Sequence, residues 1–394
     1  MGEVSLLPAS WRLTGSAIGD YLDYLSEALA RGVIDLARGV PDPVLRKASA
    51  IREAYEDVLS EPDLLYTYSP LGGPSSLRDV MRRLISEHVT EIPPGYSTVI
   101  TAGTFSAFNM LSKLMLTPGD VMLFENPTFT DFLPHAVFYG ASTASIPIIG
   151  SELSIETIRS HYGRAAAFYT VPTLHNPTGL TYGMEWRSSL AELVKDVGLR
   201  VIEDVTYAFI HPSPPKSPLS LIGGEAPYAL IGSLSKVLAP GLRIGFAVVP
   251  KTWVRAVELA QLHDLSVSPI NAAVVEKLVR NGVIDKLIAE GRRRYSEKIR
   301  AALDALQESM PDWVSWTEPA SGFYIMLYAP GADMSRLLAE ALMKGVAYVP
   351  GDAFHIPPRV AGKHTARLSV AVETPERVVE GVELLASVLR DVRR

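Results

Sequence analysis

The 394-residue chain contains no cysteine. Disulfide frameworks, zinc fingers, iron–sulfur clusters and thiol nucleophiles are therefore excluded. Nor is there an excess of positive charge: 37 Lys and Arg stand against 43 Asp and Glu, a formal net charge of −6. Duplex-binding proteins carry a basic face whose affinity falls as salt rises, so no nucleic-acid partner is expected. Long apolar runs are missing too. The longest include residues 228–232 and 244–250, far short of the ~20 residues that a membrane-spanning helix needs, so no membrane partner is expected. The opening MGEVSLLPASWRLTG has no basic segment leading into an apolar run; no signal peptide is expected, and a cytoplasmic location is. Internal repeats and low-complexity linkers are absent, and the proline-rich HPSPPKSP at residues 211–218 reads as a surface loop.

What is present is the composition of a folded globular protein, 47% apolar and 20% charged, long enough at ~150 residues per domain for two or three domains. Residues 16–31 place Ile18, Tyr21, Leu22, Leu25, Ala28 and Leu29 at helical spacing, and Gly32 ends the run. Pro74 and Ser75 open a second helix carried by Leu77, Val80, Met81 and Leu84. From about residue 97, short β-branched runs (STVITAG, DVMLFEN, AAAFYTVP, RVIEDV, YALIGS, RIGFAVV) alternate with amphipathic stretches such as MEWRSSLAELVKDVG. Strands separated by helices of 10–15 residues are the βαβ signature of a mostly parallel sheet covered on both faces. A long helical region follows over residues 253–310, broken at Ser268–Pro269, with EGRRRYSEKIR at residues 290–300 expected to be a solvated helix face. Beyond Pro311 strands and helices mix as in a smaller α+β domain, which the N-terminal helix is expected to complete.

Four segments at strand ends carry candidate chemistry. GSLSK, residues 232–236, follows an apolar strand and sets Lys236 between Ser233, Ser235 and, seven residues on, Arg243. Such a cluster binds a phosphate while the lysine amine attacks a carbonyl, though a lone loop lysine is usually a solvated charge. At the end of RVIED, Glu203, Asp204 and Tyr207 offer carboxylates and a hydroxyl; Asp204 either pairs with a protonated ring nitrogen or caps the next segment. HNPTG at residues 175–179 frames Asn176 in a proline–glycine turn. In TAGTFSAF, Gly103 and Thr104 stand where a strand passes into a helix, and free N–H groups there cradle a phosphate. Neither the GxxxxGK[ST] nor the GxGxxG nucleotide motif occurs.

In this order (NPTG, D-x-x-Y, S-x-S-K and a following arginine) the segments resemble the pyridoxal-phosphate (PLP) aminotransferases of fold type I, class I/II, from Gly39 in GVPDP to Arg367 in HTARLSV. The resemblance implies an α/β protein: a three-layer α/β/α large domain with a mostly parallel sheet, plus a smaller α+β domain. The boundaries it suggests are 1–45 for an N-terminal segment packing with the small domain, 46–285 for the PLP-binding domain and 286–394 for the small domain. It implies that Lys236 bonds to the cofactor aldehyde and later moves the substrate Cα proton, that Asp204 keeps the pyridine nitrogen protonated, and that Asn176 and Tyr207 hold its 3′ oxygen. Gly103, Thr104, Ser233, Ser235 and Arg243 match the phosphate cup. Phe129 matches the stacking aromatic, with phenylalanine where tyrosine is usual. Arg367 matches the clamp on the substrate α-carboxylate, with Gly39 touching the same group and Asn176 nearby. Tyr68 matches a tyrosine that reaches the partner's phosphate, which implies a homodimer with shared sites.

The activity implied is ping-pong transfer of an amino group from an L-amino acid (aromatic, branched-chain or 2-aminoadipate-like) to a 2-oxo acid such as 2-oxoglutarate. Carbon–sulfur lyase or decarboxylase chemistry would use the same contacts, and a non-catalytic binding protein would have little use for them together. The sequence looks most like the 2-aminoadipate, kynurenine and aromatic aminotransferase branch. Some of its members carry an arginine in the N-terminal helix for a distal carboxylate; here AIGDYLDYL has Gly19 at that position, which argues against a dedicated dicarboxylate site. Tyr21, Tyr24, His175 and His355 are further pocket candidates. With only fifteen residues before Ser16, the winged helix of regulator relatives is not expected.

Overall fold

The computed structural model describes residues 16–150 and 152–392. Its strands are β1 (Ile34–Leu36), β2 (Tyr96–Thr101), β3 (Val121–Asn126), β4 (Ser142–Ile149), β5 (Glu152–Leu153), β6 (Ala165–Thr170), β7 (Val201–Asp204), β8 (Tyr228–Ser233), β9 (Gly245–Pro250), β10 (Ser315–Trp316), β11 (Tyr324–Tyr328), β12 (Val346–Pro350) and β13 (Thr365–Ser369). They form an eight-stranded sheet in the order β2-β9-β8-β7-β6-β3-β4-β5 and a five-stranded sheet in the order β1-β12-β13-β11-β10.

Apolar residues fill both faces of the large sheet. In β8, Tyr228 and Leu230 pack into one core while Ala229 and Ile231 pack into another; β9 divides likewise, Phe246 and Val248 against Ala247 and Val249. Successive side chains of a strand point to opposite faces, so a strand buried on both reads as an unbroken apolar run. Helices Ser75–His88, Met184–Val197 and Pro269–Arg280 cover one face, and Thr104–Met115 and Val254–Ala260 the other. This is the expected three-layer arrangement.

β4-β3-β6-β7-β8 pair in parallel, whereas β9 runs antiparallel to both β8 and β2. The reason is the connection. Residues 234–244 make two short 3₁₀ turns, too little chain for the crossover that a parallel neighbour requires. Because β9 reverses, β2 and β8 point the same way, and β2, β6, β7 and β8 all end at one edge of the sheet.

The smaller sheet pairs β1 in parallel with β12, so the N-terminal segment is part of it. The N-terminal helix Ala17–Ala30 begins where the Ser16 Oγ accepts from the Gly19 N–H at 2.7 Å, a cap worth ~1 kcal/mol. The helix Val283–Ser309 runs through both cores, with Leu287 and Tyr295 in the first and Ile299 and Leu306 in the second. Residues 290–300 lie on this helix but are not a solvated face. Arg294 and Lys298 turn inward to Asp42, at 2.9 and 2.8 Å, and Lys298 also donates to the Ala371 carbonyl. The N-terminal segment brings a buried carboxylate to this face, which local charge patterning does not reveal.

Candidate active site

Strand ends at one edge of the large sheet bring Thr104, Asp204, Ser235 and Lys236 to a cavity of about 270 Å³, to which the smaller sheet adds Gly39 and Arg367. After β2, Gly103 adopts φ 89°, and a Cβ there would stand 2.6 Å from Arg243 Nη2; only glycine allows both the turn and the approach. Arg243 is itself left-handed at φ 53°, a conformation that costs a non-glycine residue energy and that recurs at functional sites. Its Nη2 donates to the Ala102 carbonyl at 2.9 Å. Thr104 Oγ1 lies 3.2 Å from Thr206 Oγ1, and Ser235 lines the cavity beside them. Ser233 lies behind: its buried Oγ accepts from the Ser235 N–H at 3.0 Å and holds that turn in place.

Lys236, just beyond β8, donates from Nζ to the Gly39 carbonyl at 2.6 Å. Burial pushes its amine below the ordinary lysine range. Gly39 fits because a Cβ there would fall 1.9 Å from the Tyr324 hydroxyl. Asp204, at the end of β7, accepts from the Thr206 N–H at 2.8 Å and the Tyr169 hydroxyl at 3.2 Å. Burial raises its pKa in spite of these bonds. Tyr207 and Tyr324 meet hydroxyl to hydroxyl at 3.0 Å.

Arg367 is 2% exposed. Its Nη1 donates to Asn176 Oδ1 and its Nη2 to the Ala37 carbonyl, both at 2.9 Å, while the guanidinium lies 4.2 Å over the Tyr324 ring and 4.5 Å over that of Phe354. Its Nε has no hydrogen-bond partner among the described residues. Asn176 is held from behind. Next to it, buried His175 bonds to Thr178 Oγ1 at 2.8 Å, with its Nε2 3.0 Å from Glu125 Oε2. That second contact does not have hydrogen-bond geometry. Glu125 is itself fixed by Thr170, Val171 and Tyr182.

Gly39, Thr104, Phe129, Asn176, Asp204, Tyr207, Ser235, Lys236, Arg243 and Arg367 thus all line the cavity. Gly103 and Ser233 support the wall from outside the lining, and Tyr68 is elsewhere, 80% exposed. Phe129 packs edge-on against Phe105 and Phe132. Tyr21 and Tyr24 border a separate cleft, where the Tyr21 hydroxyl donates to Asp352. His355 bonds to the Gly351 carbonyl. Sequence reasoning passed over Tyr169, Thr206, Tyr324, Phe105 and Asp131 among the lining residues. Thr206 and Tyr169 had a faint signal, one lying between Asp204 and Tyr207 and the other at the end of a buried strand.

The residues fit a phosphorylated pyridine aldehyde. The Gly103 cradle beside Arg243 suits a phosphate, buried Asp204 suits a ring cation, and a buried amine of lowered pKa suits a carbonyl carbon. Comparisons with known proteins agree. The sequence model of the family "Aminotransferase class I and II" matches residues 31–385, and the chain belongs to that family. It is a PLP-dependent aminotransferase of fold type I (EC 2.6.1.-). Aromatic-amino-acid aminotransferase 1 of Thermococcus litoralis is 30% identical over 371 residues, 91% of this chain and 88% of that protein. Among solved structures, the multiple substrate aminotransferase of Thermococcus profundus superposes with a TM-score of 0.89 at 28% identity, covering 100% of this chain and 99% of that one. The alpha-aminoadipate aminotransferase of Thermus thermophilus, complexed with N-(5′-phosphopyridoxyl)-L-leucine, superposes at 0.86 with 28% identity over 100% and 99%.

Proposed function

We propose that the chain moves the amino group of L-amino acids with bulky apolar side chains, aromatic or branched, to a 2-oxo acid, the two half-reactions alternating at one site. The observation that carries this reading is the enclosure of Lys236, Asp204 and Arg367 in one cavity that has apolar walls at Ile18, Leu22, Phe129 and Phe132. The similarity to an aromatic-amino-acid aminotransferase, and to an aminotransferase complexed with a phosphopyridoxyl-leucine, supports such donors.

In this reading Lys236 holds the cofactor by its aldehyde carbon. When free, its amine would carry the proton that leaves the substrate Cα, and burial, which lowers its pKa, favours the neutral form that a base needs. Asp204 keeps the pyridine nitrogen protonated. Asn176 and Tyr207 donate to the ring 3′ oxygen, and Phe129 covers the ring. Thr104, Ser235, Arg243 and the backbone at Gly103 hold the phosphate, with Ser233 fixing Ser235. Arg367 and Gly39 take the α-carboxylate, the guanidinium pre-set by Asn176 and Ala37. When bound, the cofactor supplies the conjugated ring that takes up the electron pair left as the Cα proton departs.

We further propose a homodimer in which Tyr68 reaches the partner's phosphate. Exposed Tyr66 and Tyr68, 88% and 80% accessible, support it. Residues 46–285 form the cofactor domain in this scheme, and 1–45 with 286–394 the smaller one. A cytoplasmic location is also proposed; among the described residues no helix is long and apolar enough to cross a membrane.

The test is a half-reaction. Holoenzyme mixed with phenylalanine or leucine and no acceptor should lose its visible absorption band, release one 2-oxo acid per site and stop. Continuous release of ammonia or carbon dioxide would sink the reading in favour of elimination or decarboxylation.

A further inference from the structure

The charged side chains lining the cavity are Asp131, Asp204, Lys236, Arg243 and Arg367. The last four are taken up by the roles given above. Asp131 is left over. It stands in the wall between the apolar residues Phe129 and Phe132, opposite Ile18 and Leu22 of the N-terminal helix. Its Oδ1 accepts from the Ser16 Oγ at 2.8 Å, and no ion pair to Asp131 occurs among the described residues. The Ser16 hydroxyl that caps the helix therefore also aims this carboxylate.

Three observations give Asp131 a direction. It lines the same cavity as Arg367, so it faces the same volume as a substrate whose carboxylate is clamped there; burial raises its carboxyl pKa, while the Ser16 hydroxyl and the Arg367 charge act to lower it. Second, a Cβ at Gly19, in the helix that supplies Ile18 and Leu22, would stand 2.6 Å from the Ser16 Oγ, so a side chain there would displace the hydroxyl that holds Asp131. A cation reaching in from position 19 would break both the helix cap and the hydrogen bond to Asp131. Third, Arg359 is engaged in an ion pair with Asp20 and so is not free to meet a second carboxylate. Among the described residues the far end of the cavity is apolar apart from Asp131, with no cation free to meet a second carboxylate.

We infer that Asp131 reads the far end of the substrate side chain, accepting amino acids whose apolar side chain ends uncharged or in a hydrogen-bond donor and rejecting those that end in a carboxylate. This deepens the proposed function and rests on its placement of the α-carboxylate at Arg367. It narrows the donors to aromatic, branched and amine-tipped side chains at the expense of 2-aminoadipate and glutamate. It also favours monocarboxylic 2-oxo acids over 2-oxoglutarate as acceptors. The physical cause is like-charge repulsion in a partly desolvated pocket, where Coulomb energies exceed their value in water.

The test uses three acids of one length that lack an α-amino group and so cannot react: hexanoate, adipate and 6-aminohexanoate. Each is titrated into the holoenzyme, with binding followed by calorimetry and by the shift of the cofactor band. Adipate should bind at least about tenfold more weakly than hexanoate, and 6-aminohexanoate at least as tightly as hexanoate. Asp131→Asn should bring the adipate-to-hexanoate ratio to within about threefold of one. These ratios in the native protein stand even if the variant does not fold. Adipate binding as tightly as hexanoate, or a ratio that Asp131→Asn leaves unchanged, overturns the inference. Failure of all three acids to bind overturns the Arg367 placement and the inference with it. Turnover of phenylalanine by the same preparation reports separately on the aminotransferase reading.

Discussion

Glu203 and Asp204 are neighbours on β7, both buried, and burial raises both carboxyl pKa values. They face opposite sides of the sheet and do different work. Glu203 is enclosed by its own fold: it accepts from the Ser217 and Tyr228 hydroxyls, and Arg187 Nη1 stands 4.0 Å from its Oε1. That distance is too long for a hydrogen bond, so the pair is held by charge. Asp204 has two partners and opens on the cavity that Lys236 shares. A buried carboxylate of raised pKa is thus no mark of a functional group by itself. What separates the two is whether the partners close the group off or leave it facing a space that a ligand can enter.

The largest effects belong to the Asp204 side. Lys236→Ala removes the group proposed both to hold the cofactor and to move the proton, so kcat should fall by at least about 10³-fold, while the melting temperature of the cofactor-free protein holds or rises. Turnover that survived within tenfold would break the assignment. Asp204→Asn keeps the shape and loses the charge that protonates the ring nitrogen. A fall in kcat of about 10²-fold, with weaker retention of cofactor on dialysis, is expected.

The Glu203 side should answer in stability instead. Glu203→Gln leaves the Arg187 guanidinium buried without a counter-charge, a change expected to cost about 2–3 kcal/mol in urea unfolding. Activity per folded molecule should stay within about threefold of native. If Glu203→Gln cut kcat as deeply as Asp204→Asn, the two faces would not be separate in function, and the comparison would fail.

Much of this contrast was legible in the sequence and some was not. The strand ends that carry Gly103, Asn176, Asp204 and Lys236 announce themselves because each motif is local: an apolar run, then polar or glycine-rich punctuation. Which carboxylate of the adjacent pair faces the cavity does not follow from pattern, since a strand buried on both faces has no polar side to set its phase. Tyr324 went unseen because its partner Tyr207 is 117 residues away. The inward turn of Arg294 and Lys298 escaped for the same reason, with Asp42 some 250 residues earlier in the chain. Asp131 carries no local signal, and its meaning depends on Ser16, 115 residues distant. β9 looked like another parallel strand because strand runs carry no sign of direction; its short connection was the available clue.

The smallest effect tests the Glu203 side through pH. His211, beyond β7, is buried beside the charges of Arg187 and Arg292, and burial with these charges lowers its pKa from 6.5 to about 4. Its Nδ1 accepts from the Ser213 N–H at 3.1 Å, a bond that a proton on Nδ1 would abolish. The folded chain therefore holds this imidazole neutral down to about pH 4, while the unfolded chain protonates it near 6.5. Between those values the unfolded state binds more protons, so stability falls as pH falls, and the contribution is fully present only above 6.5. From pH 7 to 5.5 the native protein should lose about 1 kcal/mol more in urea unfolding than His211→Gln does. Asp204→Asn should leave that difference untouched, because its face shares neither the imidazole nor the two arginines. Equal acid sensitivity in native protein and His211→Gln would place the acid-titrating group elsewhere and leave the Glu203 face with a purely pH-independent role.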